Sequence, residues 1–412
     1  MAITGIIAEY NPFHNGHRYQ IQKIKDNDAT AKLICVMSGN MTQRGEPAIL
    51  NKWQRAQLAV KNGIDLVIEL PAVYSIRSAQ DFAHGGVALL HRLGIVEKLV
   101  FGAETNDLSL LHHLAESIDQ ECTKTQLKYH LQQGCSYAAA LSQAIASQDA
   151  NISEPILKEP NTILAIEYLR ALHHMKATIT PVVIQRIQAH YTDTSIHGAI
   201  ASGSAIRTAL GKKLPDFQQI RNTVSAAAFA MLLQAYETNN LPDTKYLTRL
   251  LLGRLYQMPL HELQSIYSIN EGLEYKILAA AGQTKSIQSF CNAVKSKRYP
   301  LSRIQRIVCY ILMGLSKQSI QDIDISGPLY ARILAFNDTG RTLLRHIKEQ
   351  STLPIITKTS HFLTTKNLQQ ASLSPLQKML AQDVLAANLY TLCFKSIPPA
   401  MTDFTTSPLY IK

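Results

Sequence analysis

Two histidines follow the first apolar run of the chain. Residues His14, Asn15, Gly16 and His17 form an H-x-G-H motif directly after ITGIIA (3–8), where a strand is expected to turn into a helix. At a helix N-terminus the free backbone N–H groups and the positive dipole end favour phosphate, and a glycine lets a nucleotide approach the backbone. Two imidazoles can donate to phosphate oxygens. The motif therefore predicts a site that stabilises negative charge on departing pyrophosphate.

Two other interpretations of this motif stay open at this point. A His-x-x-His spacing also occurs at zinc sites, but no third ligand is apparent, and the glycine and the preceding N-P-F are not needed for zinc. The histidines can also be surface residues of no consequence. We favour the phosphate site because the motif follows a strand that opens a Rossmann-like chain.

A serine-rich turn lies far along the chain and matches the first motif in chemistry. Residues 201–210 read ASGSAIRTAL, in which Ser202 and Ser204 open a helix that carries Arg207. Serine hydroxyls and exposed N–H groups at a helix start bind phosphates, and the arginine is a permanent cation within one turn. A plain N-cap with an exposed arginine is the alternative. The position of the turn after the last predicted strand favours phosphate binding.

The first half of the chain predicts the sheet that positions both motifs. Short β-branched runs at 3–8, 32–37, 65–70, 97–102 and 181–187 alternate with helical stretches. This alternation is typical of βαβ units and predicts an α/β fold with a Rossmann-like parallel sheet of about five strands. In such sheets ligands bind at the carboxyl ends of the strands.

The second half of the chain differs in pattern and in charge. From residue 222 onward the apolar residues recur at helical spacing, which predicts a mainly α-helical domain. Residues 1–220 carry a net charge of +1 and residues 221–412 carry +10, out of +11 for the whole chain. We predict a catalytic domain over 1–215 and a basic, mainly helical domain over 216–412 that binds a polyanion. A basic surface that serves only solubility is the alternative.

Several classes of protein do not fit the sequence. No apolar run approaches the ~18 residues of a membrane helix, and the first residues, MAITGIIAEYNPF, lack the features of a signal peptide. We expect a cytoplasmic protein without a membrane partner. The cysteines form no C-x-x-C pair or Cys/His cluster, so buried free thiols and no dedicated metal site are expected. They are Cys35, Cys122, Cys135, Cys291, Cys309 and Cys393.

The two phosphate motifs resemble those of the nucleotidyltransferase superfamily, whose enzymes attack the α-phosphate of ATP and expel pyrophosphate. Further segments are similar to the family of tRNA(Met) cytidine acetate ligases. These segments are SGNMTQRGEPAI (38–49), VFGAET with Gly102, EPNTILAIEYLRA (159–171), VVIQRIQAHY (182–191), KSKRYPLSRIQR (295–306) and YARILAFNDTGRTLLRHIK (330–348). The resemblance covers most of the chain and is weakest in its last sixty or so residues.

The resemblance implies an ATP site, with His14, His17 and Arg186 as catalytic residues. Arg186 would act on the α-phosphate or on acetyladenylate, and Gly102 would let the adenine or ribose approach a strand end. The implied ATP-binding residues are Ile7, Ala8, Glu9, Tyr10, Asn11, Pro12, Phe13, His14, Asn15, Gly16, His17, Arg18, Tyr19, Gln20, Gly102, Asn161, Arg186 and Ile187, to which the serine-rich turn adds Ser202, Ser204 and Arg207. Taken alone, Asn161 is also a common turn residue, and Arg186 can be an exposed strand residue.

Five cations without an acid in twelve residues predict the RNA contact. They are Lys295, Lys297, Arg298, Arg303 and Arg306, and such a run suits RNA phosphates. A solvated helix face is the alternative. Tyr299 beside them can stack on a base or pack against its domain. Gln43, Arg44 and Glu46 can hold acetate or the end of the RNA, or form a loop salt bridge.

The resemblance implies an ATP-dependent ligase that forms acetyladenylate. It would then acetylate N4 of the wobble cytidine of elongator tRNA(Met), giving N4-acetylcytidine and releasing AMP and pyrophosphate. ATP, with Mg²⁺, and acetate are the expected ligands, and no obligatory protein partner is evident. Two other classes stay open: a small-molecule adenylyltransferase of coenzyme metabolism, and a non-catalytic RNA-binding protein. An aminoacyl-tRNA synthetase is disfavoured because no K-M-S-K-S-like loop follows the sheet.

Overall fold

The structure is a computed structural model in which one mixed sheet is surrounded by helices. It describes residues 2–133, 135, 137–147, 157, 159–187, 195–196, 198–370 and 372–412. The strands are β1 (Ile3–Ala8), β2 (Lys32–Ser38), β3 (Leu66–Leu70), β4 (Lys98–Ala103), β5 (Thr180–Gln185), β6 (Ala331–Phe336), β7 (Ile355–Ile356) and β8 (Leu409–Tyr410).

The described helices fall into two groups along the chain. Those of the first half are α1 (Asn15–Asn27), α2 (Lys52–Lys61), α3 (Ala72–Ser75), α4 (Ala79–Arg92), α5 (Leu108–Asp119), α6 (Glu121–Gln132), α7 (Tyr137–Ala146), α8 (Pro160–His174) and α9 (Gly203–Leu210). Those of the second half are α10 (Phe217–Arg221), α11 (Ala226–Glu237), α12 (Leu247–Gln257), α13 (Leu260–Ser265), α14 (Leu273–Gln283), α15 (Ile287–Val294), α16 (Leu301–Met313), α17 (Lys317–Ser326), α18 (Asp338–Gln350), α19 (Pro375–Thr391) and α20 (Thr402–Thr405). The expectation of an α/β first half and a mainly helical second half is confirmed.

The five predicted strands form a continuous parallel sheet. Their order is β5-β4-β1-β2-β3, and Ala8 at the end of β1 pairs with Met37 near the end of β2. Strand β5 ends at Gln185, two residues before the predicted end. The segments that follow β1, β2, β4 and β5 therefore meet at one edge of the sheet, which is the usual place for a ligand in parallel α/β folds.

The sheet is larger than the sequence predicted, because the second half adds three strands. Strand β6 pairs antiparallel with β3, and β7 and β8 pair parallel with β6. The expectation of about five strands was therefore wrong. The physical reason is that a short apolar run such as ARILAF has no periodicity that distinguishes a strand from a buried helical segment. The division of the chain at residue 215 stays a prediction.

Side chains of the central strands alternate between two cores. In β2, Ile34 and Val36 lie in one hydrophobic cluster, whereas Leu33 and Cys35 lie in the other. Because successive strand residues point to opposite faces, this alternation shows that helices cover both sides of the sheet. Four cysteines are buried as expected, but Cys122 is exposed and Cys135 is half-buried. No helix within the described part of the chain is long and apolar enough to cross a membrane.

Candidate active site

The H-x-G-H motif forms the first turn of α1. His14 is the N-cap: its Nδ1 accepts a hydrogen bond from the Gly16 N–H at 3.0 Å. The His14 N–H donates in turn to Nδ1 of His17 at 3.2 Å. Since both Nδ1 atoms accept from backbone N–H groups, the ring proton of each neutral imidazole is on Nε2. The rings stack with centroids 3.8 Å apart, so both donors belong to one compact group.

Both imidazoles are neutral at physiological pH in this environment. Burial lowers the pKa of His14 to about 3, and the positive charges of Arg186 and Arg207 add to the effect. Burial, together with His14 and Arg186, also holds the pKa of His17 well below its usual value. The pair therefore presents N–H donors and no competing positive charge, and the neighbouring arginines supply the cations.

The serine-rich turn comes into contact with the H-x-G-H segment. Ser202 is the N-cap of α9 and accepts from the Ala205 N–H at 3.0 Å. The Arg207 guanidinium donates to the Asn11 carbonyl at 2.7 Å. A Cβ at Gly203 would lie 2.8 Å from that same carbonyl oxygen, so only a glycine permits this approach. Two helix N-termini, those of α1 and α9, therefore open on the same cavity.

Arg186 and Gly102 lie at the ends of adjacent strands. The Arg186 N–H donates to the Ala103 carbonyl at 2.9 Å, which continues the β4–β5 pairing by one residue. A Cβ at Gly102 would lie 3.3 Å from Cγ of Arg186. The glycine therefore leaves room for the arginine to lie across the strand end toward the two histidines. Ile187 follows and is 45 % exposed.

Asn161 is held in the site by a carboxylate that the sequence analysis missed. Its amide Nδ2 donates to Oε1 of Glu104 at 2.6 Å. The other oxygen, Oε2, accepts from the backbone N–H and the hydroxyl of Thr162 at 2.7 and 2.8 Å. Because Glu104 directly follows β4, this carboxylate joins the start of α8 to the carboxyl edge of the sheet. The acid within VFGAET was the only available signal for it.

One cavity brings together most of the predicted catalytic and ATP-binding residues. It is lined by His14, His17, Gly102, Asn161, Arg186, Ser202, Ser204 and Arg207, by Ile7 to Pro12, and by Gln20. A small adjoining recess adds Gly16, Tyr19 and Ile187. Three predicted residues line neither space. Phe13 is buried, Arg18 is exposed, and Asn15 donates to the carbonyls of Ala199 and Asn222.

The cavity also has walls outside the implied ATP-binding set. Gln43 and Arg44, for which the sequence left acetate, the RNA end or a loop salt bridge open, line it from the loop after β2. Sequence reasoning did not find Thr42 of the same loop, nor the aromatic side chains that come from three elements. These aromatic residues are Phe82, Phe101 and Tyr168. The Gln43 N–H donates to Oε1 of Glu9 at 2.6 Å, and its side-chain amide donates to the Arg77 carbonyl at 3.0 Å. Burial raises the pKa of Glu9, an effect that the Gln43 hydrogen bond and nearby arginines oppose.

The predicted RNA-binding cations precede and open α16, where they are not equivalent. Arg298 is exposed and forms an ion pair with Glu271. Arg303 donates to the Ser268 hydroxyl at 2.9 Å and lies over the ring of Tyr299, 4.4 Å from its centroid. Tyr299 is 7 % exposed, and its hydroxyl donates to the Asn270 carbonyl, so it packs against its own domain.

The remaining three cations are differently placed. In the part of the chain that the structure describes, the side chains of Lys295, Lys297 and Arg306 have no hydrogen-bond or ion-pair partner. Gln305 precedes Arg306 in α16, and its side-chain amide donates to the carboxylate of Glu46 at 2.9 Å. The basic segment therefore sits next to the loop that lines the cavity, because Glu46 belongs to that loop.

A cluster with metal-ligand chemistry lies outside the cavity. Ligand atoms of Asp119, His173 and His174 lie within 4.8 Å of one another, and no other such cluster occurs among the described residues. Asp119 already accepts from the Arg170 guanidinium at 2.6 Å and contacts His174 at 2.7 Å. Because that guanidinium competes with a cation for the carboxylate, we assign the cluster no role.

Comparison with known proteins agrees with the fold and the motif. The family model of the HIGH nucleotidyl transferases matches residues 1–403. The crystal structure of apo Thermotoga maritima TmcAL superposes with a TM-score of 0.91 at 30% identity, over 100% of both chains. The same protein bound with alpha-thio ATP gives 0.89 at 29% identity, over 100% of this chain and 99% of that one. The fold and the motif define a nucleotidyltransferase of the HIGH class.

Relatives of known name narrow the class to one family. The tRNA(Met) cytidine acetate ligase of Thermoanaerobacter sp. (strain X514) is 39% identical, with 98% of each chain covered. The enzymes of the same name from Halothermothrix orenii and Clostridium novyi are 36% and 35% identical. They cover 96% and 100% of this chain and 95% and 100% of their own lengths. The chain belongs to the family of tRNA(Met) cytidine acetate ligases.

Proposed function

We propose that the chain joins acetate to the N4 amine of the wobble cytidine of elongator tRNA(Met) at the expense of ATP. A single observation carries the proposal. The neutral imidazole pair, two helix N-termini, Arg186 and Arg207 open on one cavity at the carboxyl edge of the sheet, in a chain whose relatives are named for this reaction.

The first step is attack of an acetate oxygen on the α-phosphorus of ATP. The bond from that phosphorus to the bridging oxygen breaks, and acetyladenylate and pyrophosphate form. Negative charge grows on the departing pyrophosphate, so the Nε2–H donors of His14 and His17 and the guanidinium of Arg207 stabilise it. Arg186 holds the α-phosphate and then the adenylate. Bound to the ATP phosphates, Mg²⁺ would neutralise further charge on the departing pyrophosphate.

The second step transfers the acetyl group. The exocyclic amine attacks the acyl carbon, AMP leaves with the electron pair of the broken C–O bond, and the amine loses one proton. No enzyme nucleophile is required, so catalysis rests on positioning. The wobble base is unpaired in its loop and can enter a pocket, as is usual in the recognition of single-stranded RNA.

The position of α16 supports the assignment of the RNA surface. This helix follows Lys295 and Lys297, and it contacts the cavity loop through Gln305 and through Cys309, whose thiol is 3.2 Å from the Gly45 carbonyl. RNA bound on these cations would therefore lie beside the reaction cavity. Arg298 and Arg303 join this surface in the proposal, although each also has a protein partner.

The test is acetate-dependent exchange of labelled pyrophosphate into ATP, without RNA and across a panel of carboxylic acids. Exchange with acetate supports the ligase. Absence of exchange with every acid, despite bound ATP, would favour the small-molecule adenylyltransferase.

A second experiment replaces Lys295, Lys297 and Arg306 together by alanine. We expect weaker tRNA binding, a shallower salt dependence and unchanged exchange, and we expect the protein in the cytoplasm, where tRNA is modified.

A further inference from the structure

A second cavity lies behind the loop that lines the reaction cavity. Its volume is ≈ 340 Å³, and it shares no lining residue with the reaction cavity. Aromatic walls come from Trp53 at the start of α2 and from Tyr390 and Phe394 at the end of α19. This volume is within the roughly 300–1,000 Å³ that is usual for small-molecule sites.

Three side-chain amides in this cavity have a fixed orientation. Oδ1 of Asn40 accepts from the Lys52 N–H at 2.7 Å. Asn51 and Gln54 form a reciprocal cap of α2, in which each side-chain oxygen accepts from the backbone N–H of the other, at 2.9 and 3.1 Å. Because a backbone N–H is always a donor, each amide must present its oxygen to the backbone and its NH2 group elsewhere.

These NH2 groups and an indole N–H lack acceptors. For the residues that the structure describes, no partner is found for the NH2 groups of Asn40, Asn51 and Gln54. The indole N–H of Trp53 has none either. Asn40 is 6 % exposed and Trp53 is 9 % exposed. Only the Trp53 nitrogen is fully buried, so the donors open to the cavity are the three NH2 groups of residues that line it. These groups make the cavity suited to a ligand with several hydrogen-bond acceptors.

The charge around the cavity excludes a strongly ionic ligand. None of its lining residues is charged. Lys52 and Arg332 lie near the Trp53 ring, but both form ion pairs with Asp403, and Lys52 also pairs with Glu69. The partial positive charge at the N-terminus of α2 therefore acts on the cavity without a competing full charge. It favours ligand groups that accept hydrogen bonds, such as carbonyl oxygens and ring nitrogens, over groups that donate them.

We propose that this cavity binds an uncharged nucleobase. A base has flat apolar faces for the aromatic walls and carbonyl or ring-nitrogen acceptors for the three NH2 groups. It can arrive as an unpaired base of an RNA or as a free nucleoside. The cavity is a binding site additional to the proposed reaction, and it requires no chemical step.

The loop between the two cavities places this site where it can assist an RNA substrate. Asn40 and Asn51 at the ends of the loop line the second cavity, whereas Thr42 to Arg44 near its turn line the reaction cavity. The loop is closed by the Ala48 N–H donating to the Asn40 carbonyl at 2.9 Å and by a bridge between Met41 and Pro47. A base held in the second cavity therefore contacts the same loop as the reactants.

The test uses the fact that Trp53 is the single tryptophan of the chain. Its fluorescence is followed while cytidine, uridine or adenosine is added to protein saturated with a non-hydrolysable ATP analogue, which occupies the reaction cavity. A parallel titration uses elongator tRNA(Met). Equilibrium dialysis with labelled nucleosides measures binding that leaves fluorescence unchanged. Neither measurement depends on catalysis. Failure to detect nucleobase binding is therefore distinguishable from failure of the proposed function.

Matched variants locate the binding. Asn40→Asp and Gln54→Glu retain the oxygen that the backbone N–H needs and remove the N–H donors from the cavity. Each should weaken nucleobase binding about tenfold or more, and a cooperative thermal transition of each variant checks that it is folded. Gln132→Glu, the same change on an exposed face of α6, should have no effect.

Four outcomes are decisive. Saturable binding of nucleosides that both cavity variants weaken supports the proposal and identifies free nucleosides as a source. Binding seen only with tRNA and weakened by the same variants supports it with RNA as the source. Absence of binding by fluorescence and by dialysis, for nucleosides and for tRNA, overturns it. Binding that neither cavity variant alters overturns it equally.

Discussion

The two ring nitrogens of each motif histidine have separate tasks. The Nδ1 atoms accept the backbone N–H groups that shape the first turn of α1, which leaves the Nε2–H groups for a ligand. The structural role and the proposed chemical role are therefore on opposite sides of one ring, and substitutions can separate them. Asparagine places an acceptor near the Nδ1 position, whereas glutamine places an NH2 donor near the Nε2 position.

We expect His17→Gln to retain more pyrophosphate exchange than His17→Asn. The asparagine variant keeps the acceptor for the His14 N–H but loses the phosphate donor, so its rate should fall roughly 100-fold, the loss typical for one transition-state donor. The glutamine variant should lose the hydrogen bond to the His14 N–H and with it roughly 1 kcal/mol of stability. Its exchange rate should fall less than that of the asparagine variant. Exchange kinetics and thermal denaturation measure the two effects. The opposite order of rates would refute the proposed donor role.

Sequence reasoning found the residues of this site whose chemistry is carried by local motifs. His14, His17, Ser202 and Arg207 each belong to a helix start, and a helix start has a recognisable pattern. Glu104 has no such pattern, because its partners at Asn161 and Thr162 are 57 and 58 residues away. From the sequence, Tyr299 could either stack on a base or pack against its own domain, and only its burial in the structure shows that it packs against the domain.

The loop after β2 connects the reaction cavity to α16, the helix that follows Lys295 and Lys297. Its turn is packed against α16: Gly45 has a φ of +73°, and a Cβ there would lie 2.7 Å from the Gln305 carbonyl. Gln305 donates to Glu46 and Cys309 contacts Gly45. Since the neighbouring residues Gln43 and Arg44 line the cavity, RNA bound near α16 can fix the loop that completes the reaction site.

We expect Gln305→Ala to lower acetyl transfer to tRNA while sparing pyrophosphate exchange. The change removes the hydrogen bond to Glu46 and loosens the loop against α16, for a stability cost of about 1 kcal/mol. Transfer should fall at least several-fold in single-turnover assays with preformed acetyladenylate. Gln318→Ala removes a bond to Asp322 on exposed α17 and serves as the control. Equal transfer by both variants would show that this contact has no part in coupling.

The three strands added by the second half show where pattern reasoning fails. The predicted parallel strands were recognisable because each is followed by a helical stretch of the right length. Strand β6 instead pairs antiparallel with β3, about 265 residues earlier in the chain. Such a long-range pairing leaves no trace in local periodicity. The second cavity has the same origin, because its walls come from residues 40–54, 231–240 and 387–406.

Buried charges join the two halves of the protein. Lys52 of α2 contacts Glu69 of β3 at 2.8 Å and Asp403 of α20 at 2.9 Å, and Arg332 of β6 contacts both carboxylates. Although burial opposes it, the charges of Arg332 and Lys52 lower the pKa of Asp403 to about 2. The nearly neutral first half and the basic second half are therefore joined by one buried network of ion pairs.

A neighbouring carboxyl should give the protein a characteristic pH dependence. Burial and the charge of Glu69 raise the pKa of Asp383 to about 7, above the ~3.9 of an unfolded aspartate. Between these values the folded state holds a proton that the unfolded state lacks. This group therefore makes stability fall as pH rises from about 4 to about 7. Asp383→Asn stays neutral and can still accept from the Ala72 N–H.

We accordingly expect Asp383→Asn to gain stability relative to the parent protein as pH rises through this window. Urea denaturation at pH 5, 6, 7 and 8 measures the difference in free energy of unfolding. The difference should grow with pH and level off above about pH 7. A difference that is constant across the series would contradict a raised pKa for this carboxyl.

The proposed function requires one chain to carry out both ATP-dependent activation of acetate and acetylation of the wobble cytidine. The most direct measurement is nucleoside mass analysis of elongator tRNA(Met) after incubation with the protein, ATP, Mg²⁺ and isotopically labelled acetate. We predict labelled N4-acetylcytidine at the wobble position, absent without ATP and strongly reduced in His17→Asn. Unmodified cytidine after incubation with folded protein that binds ATP would contradict the proposed function.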